Sequence, residues 1–202
     1  MADNTASRAT LLALRRDRRI IEEGHRFLDE RRVALAHELL RRARRYEELR
    51  AALERRHAQA RVALAAAVGR HGLEGVQSHP PWRLAPAAFR SERVPFLGVT
   101  LVIAAELPLR GAADPAAELP TSEAAACAAA FQALAQDAAT LAGEVASLLR
   151  LVAEYRKTER RVRALENIIL PEARADERRI EGALEEVDQE EVLRSRRFAR
   201  QA

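Results

Sequence analysis

The residues of this 202-residue chain best suited to hold a metal or act as a nucleophile are His25, His37, His57, His71, His79 and the single cysteine, Cys127. Zinc chemistry of the HExxH kind needs two histidines one helical turn apart around a glutamate, and no two of the histidines stand so. One cysteine completes neither a CxxC zinc site nor an intrachain disulfide, and it fits a reducing, intracellular setting. His71 and His79 flank a loop and are the pair that could share a metal. Phosphate chemistry needs a GxxxxGK[ST] cradle, or GxGxxG opening a helix after a strand. Neither occurs, and Gly72-Leu73-Glu74-Gly75 reads as a turn. A Ser/His/Asp triad needs an enclosed pocket, which a long two-helix rod lacks. The sequence therefore nominates no catalytic residue, metal ligand or cofactor site, and the chain is not expected to be an enzyme.

The elements that carry these residues follow from composition and periodicity. Aromatic residues make up 4% of the chain and charged residues 32%, which favours long helices with shallow contacts over a thick core. From Ser7 to Gly69 there is no proline, and only Gly24 interrupts good helix formers. A heptad repeat runs through this stretch. Leu11, Arg18, His25, Arg32, Leu39, Tyr46, Leu53, Ala60 and Ala67 hold one seam position; Leu14, Ile21, Leu28, Leu35, Arg42, Leu49, Arg56 and Ala63 hold the position three later. Such a helix is roughly 90 Å long at about 1.5 Å per residue.

Residues 71–120 are punctuated by Gly72, Gly75, Pro80, Pro81, Pro86, Pro95, Gly98, Pro108, Gly111, Pro115 and Pro120, so no long helix is expected there. Val99-Thr100-Leu101-Val102-Ile103 reads as a strand, with Arg90–Phe96 as its partner and Gly98 near the turn. A second long helix begins at the capping stretch Thr121-Ser122-Glu123. Its heptads run through Phe131, Leu134, Ala138, Leu141, Val145, Leu148, Val152, Tyr155 and Val162. Pro171 should bend or distort it, and apolar spacing resumes at Ile180, Leu184, Val187 and Val192, ending at Phe198.

The expected fold is mainly α: two long helices in an antiparallel coiled coil, residues 1–70 and 121–202, with a small hairpin-containing middle segment, 71–120. With level termini, paired residue numbers sum to about 206. Gly24 then faces Gly182, Ala60, Ala63 and Ala67 face Ala146, Gly143 and Ala139, and Arg18 and His25 meet the acidic stretch Glu177–Asp188.

Charge is unevenly spread. Residues 8–70 carry 17 arginines against 9 acidic residues, net +8, whereas 71–120 and 121–202 carry −1 and −2. A nucleic-acid surface would gather its arginines on one face among accessible aromatics. Arg15, Arg16, Arg18, Arg19, Arg31, Arg32, Arg41, Arg42, Arg44 and Arg45 instead spread around the helix, so a basic arm screened by an acidic one is the better account. The longest apolar run, Val99–Ala105, is far short of the roughly 18 residues of a membrane span. Met1-Ala2-Asp3-Asn4 lacks a secretory signal's features. The chain is expected to be soluble, without direct membrane insertion.

Four segments carry a family resemblance. Ala6-Ser7-Arg8-Ala9-Thr10-Leu11-Leu12-Ala13-Leu14-Arg15-Arg16 is a basic, leucine-rich opening. Ile20-Ile21-Glu22-Glu23-Gly24-His25-Arg26-Phe27-Leu28-Asp29-Glu30-Arg31-Arg32 holds a glycine–histidine pair before basic residues. Arg160-Arg161-Val162-Arg163-Ala164-Leu165-Glu166-Asn167-Ile168-Ile169-Leu170-Pro171 ends in aliphatics and proline, and Leu184–Arg194 runs from acidic to basic. In this order, on a helix–knob–helix plan, they resemble the D subunits of V/A-type rotary ATPases. Arg163 departs from the family's usual asparagine, and Glu172–Arg179 is more charged than usual.

The resemblance implies a central rotor stalk. The coiled-coil end bearing both termini would insert into a hexameric head of catalytic A and B subunits. The F subunit would attach to the coiled coil, and the distal end would rest on a funnel-shaped subunit above the membrane ring, on the cytoplasmic face. ATP hydrolysis or synthesis would occur in the head, coupled to proton or sodium translocation, while the shaft transmits torque without a cofactor or nucleic acid. Leu11, Leu12, Leu14, Arg15, Arg16, Arg18 and Phe198 are then expected to contact the head, and Phe96, Leu97, Val99 and Leu101 a partner near the hairpin. Gly24, His25, Arg160, Arg161, Val162, Leu165, Glu166 and Pro171 form the family-motif segments. The alternative is a basic coiled-coil adaptor or scaffold outside any rotary motor. The F-type rotor subunit shares the two-helix shaft but has a larger α/β middle domain, for which 71–120 leaves little room.

Overall fold

A computed structural model describes residues 7–77, 89–107 and 121–201. In chain order these form helix α1 (Arg8–Gln77), strands β1 (Arg90–Phe96) and β2 (Val99–Glu106), helix α2 (Ser122–Ala164), a π-helical turn (Leu165–Ile169) and helix α3 (Leu170–Gln201). His79, Pro80, Pro81, Pro86, Pro108, Gly111, Pro115, Pro120 and the first six residues lie outside the described residues. Helix starts follow their capping residues. Ser7 Oγ accepts the Thr10 N–H at 3.1 Å, and Thr121 Oγ1 accepts the Ala124 N–H at 3.4 Å. The expected turn at residues 72–75 is a single non-helical residue, Gly72 (φ 70°, ψ 168°), after which the helix resumes to Gln77.

The described chain divides into two compact units, Leu35–Glu154 and Met1–Ala34 with Tyr155–Ala202. Every expected seam position of α1 is buried or half-buried except Arg56, whose guanidinium reaches Asp137 at 3.1 Å from an exposed position. The heptad pattern therefore describes α1 well.

In the Leu35–Glu154 unit, Leu35, Ala60, Ala67, Ala139 and Leu151 are buried in the core. The β-hairpin turns through Leu97 (φ 46°) and Gly98 (φ 79°), a two-residue loop with both residues left-handed, as hairpins favour. Glu92 pairs with Ala104 but Arg93 with Val102, so Ile103 is bulged out of β2. That bulge breaks the alternation and lets Leu101 and Val102, adjacent in sequence, both be buried.

The hairpin settles on α2 at Gly143, where an added Cβ would lie 3.0 Å from both Ala105 Cβ and Val102 Cγ1. Side chains of α2 then take up backbone groups of β2. Ser147 Oγ accepts the Val102 N–H at 2.8 Å, Gln136 Nε2 donates to the Ala105 carbonyl at 3.2 Å, and Arg150 donates to the Thr100 carbonyl at 3.0 Å. This contact corrects the expected register. Gly143 closes against the hairpin, not against Ala63, and the most buried face of α2 runs through Ala139, Gly143, Ser147 and Leu151. A third element covers that face.

Arg42 joins all three parts of this unit. Its side chain is 6% exposed and donates to Glu38 at 2.8 Å, to Glu144 at 2.9 Å and to the Val102 carbonyl at 3.1 Å. One guanidinium thereby connects α1, α2 and the hairpin.

In the other unit, Thr158, Val162, Leu170 and Ile180 are buried along the second arm. Arg8 pairs with Asp188 at 3.4 Å, Arg15 with Glu177 at 3.1 Å and with Glu181, Arg18 with Glu177 at 2.7 Å, and Arg174 with Glu22 at 3.4 Å. Partners run in opposite order, so α1 and α3 pack antiparallel. The Arg8–Asp188 and Glu22–Arg174 pairs both sum to 196, not to the expected value of about 206. Arg18 meets Glu177, at the near end of the acidic stretch expected for it, but no close approach is made at Gly24 or Gly182, where an added Cβ meets nothing within 4 Å. Pro171 distorts the helix as expected. The π turn lies directly before it, with the Leu170 N–H bonded to the Leu165 carbonyl.

Removing Arg42 takes the close partner from buried Glu144 and leaves Glu38 with Arg41 alone. Arg42→Ala should cost about 3–5 kcal/mol in denaturant unfolding, whereas exposed Arg41→Ala should cost less than about 1 kcal/mol. Replacing Arg42, Glu38 and Glu144 together by Met, Leu and Leu should recover most of that loss. The hydrogen bond from Arg41, with that from Arg42 against the cost of burial, holds the Glu38 carboxyl below its ordinary 4.5. A depressed folded value means the stabilisation is fully present above pH 4.5 and fades as pH falls through the lower folded value. Unfolding midpoints of Glu38→Gln and the parent should therefore converge in acid and separate toward neutral pH.

Candidate functional site and partner-facing surfaces

Among the described residues no group of three or more His, Cys, Asp or Glu side chains could hold a metal, and no helix is long and apolar enough to cross a membrane. Burial pushes the Cys127 thiol up from its ordinary range, which disfavours the reactive thiolate. What stands out is apolar surface left uncovered.

On the Met1–Ala34 arm, Leu11 and Leu14 are half-buried in the seam, while Leu12 is 65% exposed. Arg15 and Arg18 are engaged with Glu177, Glu181 and Glu22, whose hydrogen bonds hold both guanidinium groups protonated more firmly still. Arg16 is exposed. Leu12, Ile20 and Phe27, all exposed, are eight and seven residues apart, which keeps them on one face of α1 directed away from the seam. On α3 every side chain from Glu185 to Ala199 is exposed, including Val187, Val192, Leu193 and Phe198. Of the residues expected to meet a partner here, Leu12, Arg15, Arg16 and Phe198 are exposed, Arg15 while paired with Glu177 and Glu181.

At the hairpin, Val99 and Leu101 are 6% and 4% exposed, so they are packing residues and not an open contact surface. Phe96 is half-buried and Leu97 is exposed at the turn. Leucine is a poor occupant of the left-handed region, where glycine or asparagine is at ease. Beside the turn, Arg93, Thr100, Arg150, Ala153 and Glu154 line a shallow groove.

Of the motif residues, Val162 is buried, Gly24, His25 and Leu165 are half-buried, and Arg160, Arg161, Glu166 and Pro171 are exposed. His25 Nε2 is buried without a hydrogen-bond partner. Sequence reasoning placed Arg42 in the seam but did not single out its network, nor Ile20, Phe27, Ile168 and Ile169 as exposed. A signal for the network was present: Glu38 stands four residues before Arg42, the spacing of a helical ion pair.

Comparison with known proteins agrees with this arrangement. The family model that describes the D subunit of ATP synthase matches residues 10–200. The V-type ATP synthase D subunit of Anaeromyxobacter dehalogenans (strain 2CP-C) is 35% identical, over 98% of this chain and 96% of that protein. The V-type ATP synthase D subunit of Thermus thermophilus is 30% identical, over 98% and 88%. The A-type ATP synthase D subunit of Methanopyrus kandleri is also 30% identical, over 98% and 86%. A two-helix seam, a clamped hairpin and a match over nearly the whole length lead to one assignment: the chain belongs to the family of ATP synthase D subunits.

Proposed function

We propose that the chain is the non-catalytic central-stalk shaft of a V/A-type rotary ATPase, carrying torque between a head of A and B subunits and an ion-translocating membrane ring. The observation that carries this is the bare end of α3. At about 100° per residue, Val187, Val192, Leu193 and Phe198 point to different sides of the helix. Apolar residues on all sides of a helix belong where it is enclosed. An end enclosed by a partner is what a shaft seated in a head requires, and Leu12 and Arg16 extend that contact onto α1. Torque also needs an element that resists sliding, and the inter-helix ion pairs and the Arg42 clamp oppose it.

On this account the arms 1–70 and 121–202 meet the head, and the 71–120 segment serves a second contact. The hairpin tip, Leu97 with Phe96, faces a stalk partner such as the F subunit or the funnel subunit. The complex would place the chain at the cytoplasmic face of the membrane without inserting it. Nucleotide chemistry would remain with the head subunits.

Two variants test the two ends. Leu12→Ser with Phe198→Ser should weaken joining to a reconstituted A and B head about tenfold or more, with circular dichroism and unfolding midpoint unchanged. Undiminished joining would sink the seated-end assignment. Leu97→Asn should raise stability by about 0.5–1 kcal/mol by relieving the left-handed leucine, yet weaken binding of the stalk partner. Greater stability with full binding would make Leu97 a packing residue only.

A further inference from the structure

The heptad phase of the second arm slips by one residue at the π turn. Thr158, Val162 and Leu165 face inward, and the same phase continued would bring Ile169 inside next. Instead Leu170 is 8% exposed and Ile169 is 39% exposed. Beyond that point Leu170, Ala173, Glu177, Ile180 and Leu184 carry the seam in a regular three–four spacing. The π turn absorbs the additional residue, since the Leu170 N–H reaches back five residues to the Leu165 carbonyl. Pro171 favours the wider turn locally, because its ring would crowd the Asn167 carbonyl in a straight α-helix. Such turns are uncommon and gather at functional sites. Here the consequence is specific: an isoleucine due in the seam is turned out to solvent beside Ile168, which is 54% exposed.

The other arm supplies a matching residue. Arg8–Asp188 and Glu22–Arg174 set the antiparallel register, which brings Phe27 level with Ile168 and Ile169. Phe27 is 65% exposed and points away from the seam. A partner lying along one side would cover Phe27 or the isoleucine pair and leave the other bare. The surrounding exposed charges are mixed in sign, Glu23, Arg26 and Glu30 on α1 with Arg163, Glu166 and Glu172 on the second arm, which suits neither a nucleic acid nor an anionic membrane.

We infer that the π turn exists to complete an apolar belt, Phe27 with Ile168 and Ile169, that is gripped by a ring of protein subunits enclosing this unit. This rests on the stalk assignment and deepens it. The ring is the A and B head, and the belt is a contact distinct from the bare end of α3. Burial of three large apolar side chains at one level centres the unit in its ring and resists tilting.

The test uses the full-length chain and a reconstituted A and B head, with binding followed for Phe27→Ser and, separately, for Ile168→Ser with Ile169→Ser. All three side chains are exposed, so circular dichroism and the unfolding midpoint should match the parent. The belt requires both variants to weaken binding by similar factors, about tenfold each. Loss in one variant alone shows a one-sided partner and overturns the belt, as does loss in neither. If those variants bind fully while Leu12→Ser with Phe198→Ser does not, the belt is wrong and the stalk assignment stands. If the parent chain itself fails to join the head, both are overturned.

Discussion

Two helices joined by a leucine seam can slide past one another by a heptad and still bury their leucines. What forbids sliding in this chain is charge that must find a particular partner. In the Leu35–Glu154 unit, the Arg42 guanidinium reaches Glu38, Glu144 and the Val102 carbonyl from a position nearly shut off from water. A shift of one turn would keep the Glu38–Arg42 pair, since both lie on α1, but would pull the guanidinium away from Glu144 and the Val102 carbonyl and leave that carboxylate buried without its close partner. In the other unit, pairs such as Arg15–Glu181 and Glu22–Arg174 are more exposed and individually weak, but they agree on one register. The hairpin shares the same device, because one of the carbonyls that hold it is among Arg42's three acceptors.

That dependence explains which parts of the structure are readable from sequence. Heptad spacing identifies the inward face of α1 from Leu11 to Ala67, since a 3.5-residue repeat leaves one solution for a helix with one partner. Gly98 beside the β-branched stretch Val99–Ile103 marks the hairpin, and Pro171 marks the distortion before it. Register is not readable this way. Small residues such as Gly24, Gly182, Ala63 and Gly143 offer an attractive alignment, but alanine and glycine fit many alignments nearly equally well. Arginine and glutamate do not. Gly143 belongs to a contact with Ala105 and Val102, residues far away in sequence, and no periodicity on α2 alone discloses that a third element covers that face.

The partner-facing surfaces divide similarly. Leu12, Arg16 and Phe198 stand out from the basic and leucine-rich ends of the chain, and they are exposed. Val99 and Leu101 carry the same apolar character but lie inside the hairpin, because the bulge at Ile103 sets which residues face in. Phe27 lies between the seam positions of α1, whereas Ile168 and Ile169 become visible only once the π turn has shifted the phase of the seam. Exposed apolar residues at these sites are a liability for an isolated chain. They make sense for a subunit that works enclosed, which is how membership of the ATP synthase D-subunit family and the bare end of α3 fit together.

The measurement that addresses the central claim most directly is stoichiometry. Native mass spectrometry of the chain mixed with a V/A-type A and B hexamer should show a single copy per hexamer, the asymmetric complex a rotor shaft must form. Three or six copies per hexamer, or no association with the stalk partner also present, would contradict the account and leave a coiled-coil adaptor in its place.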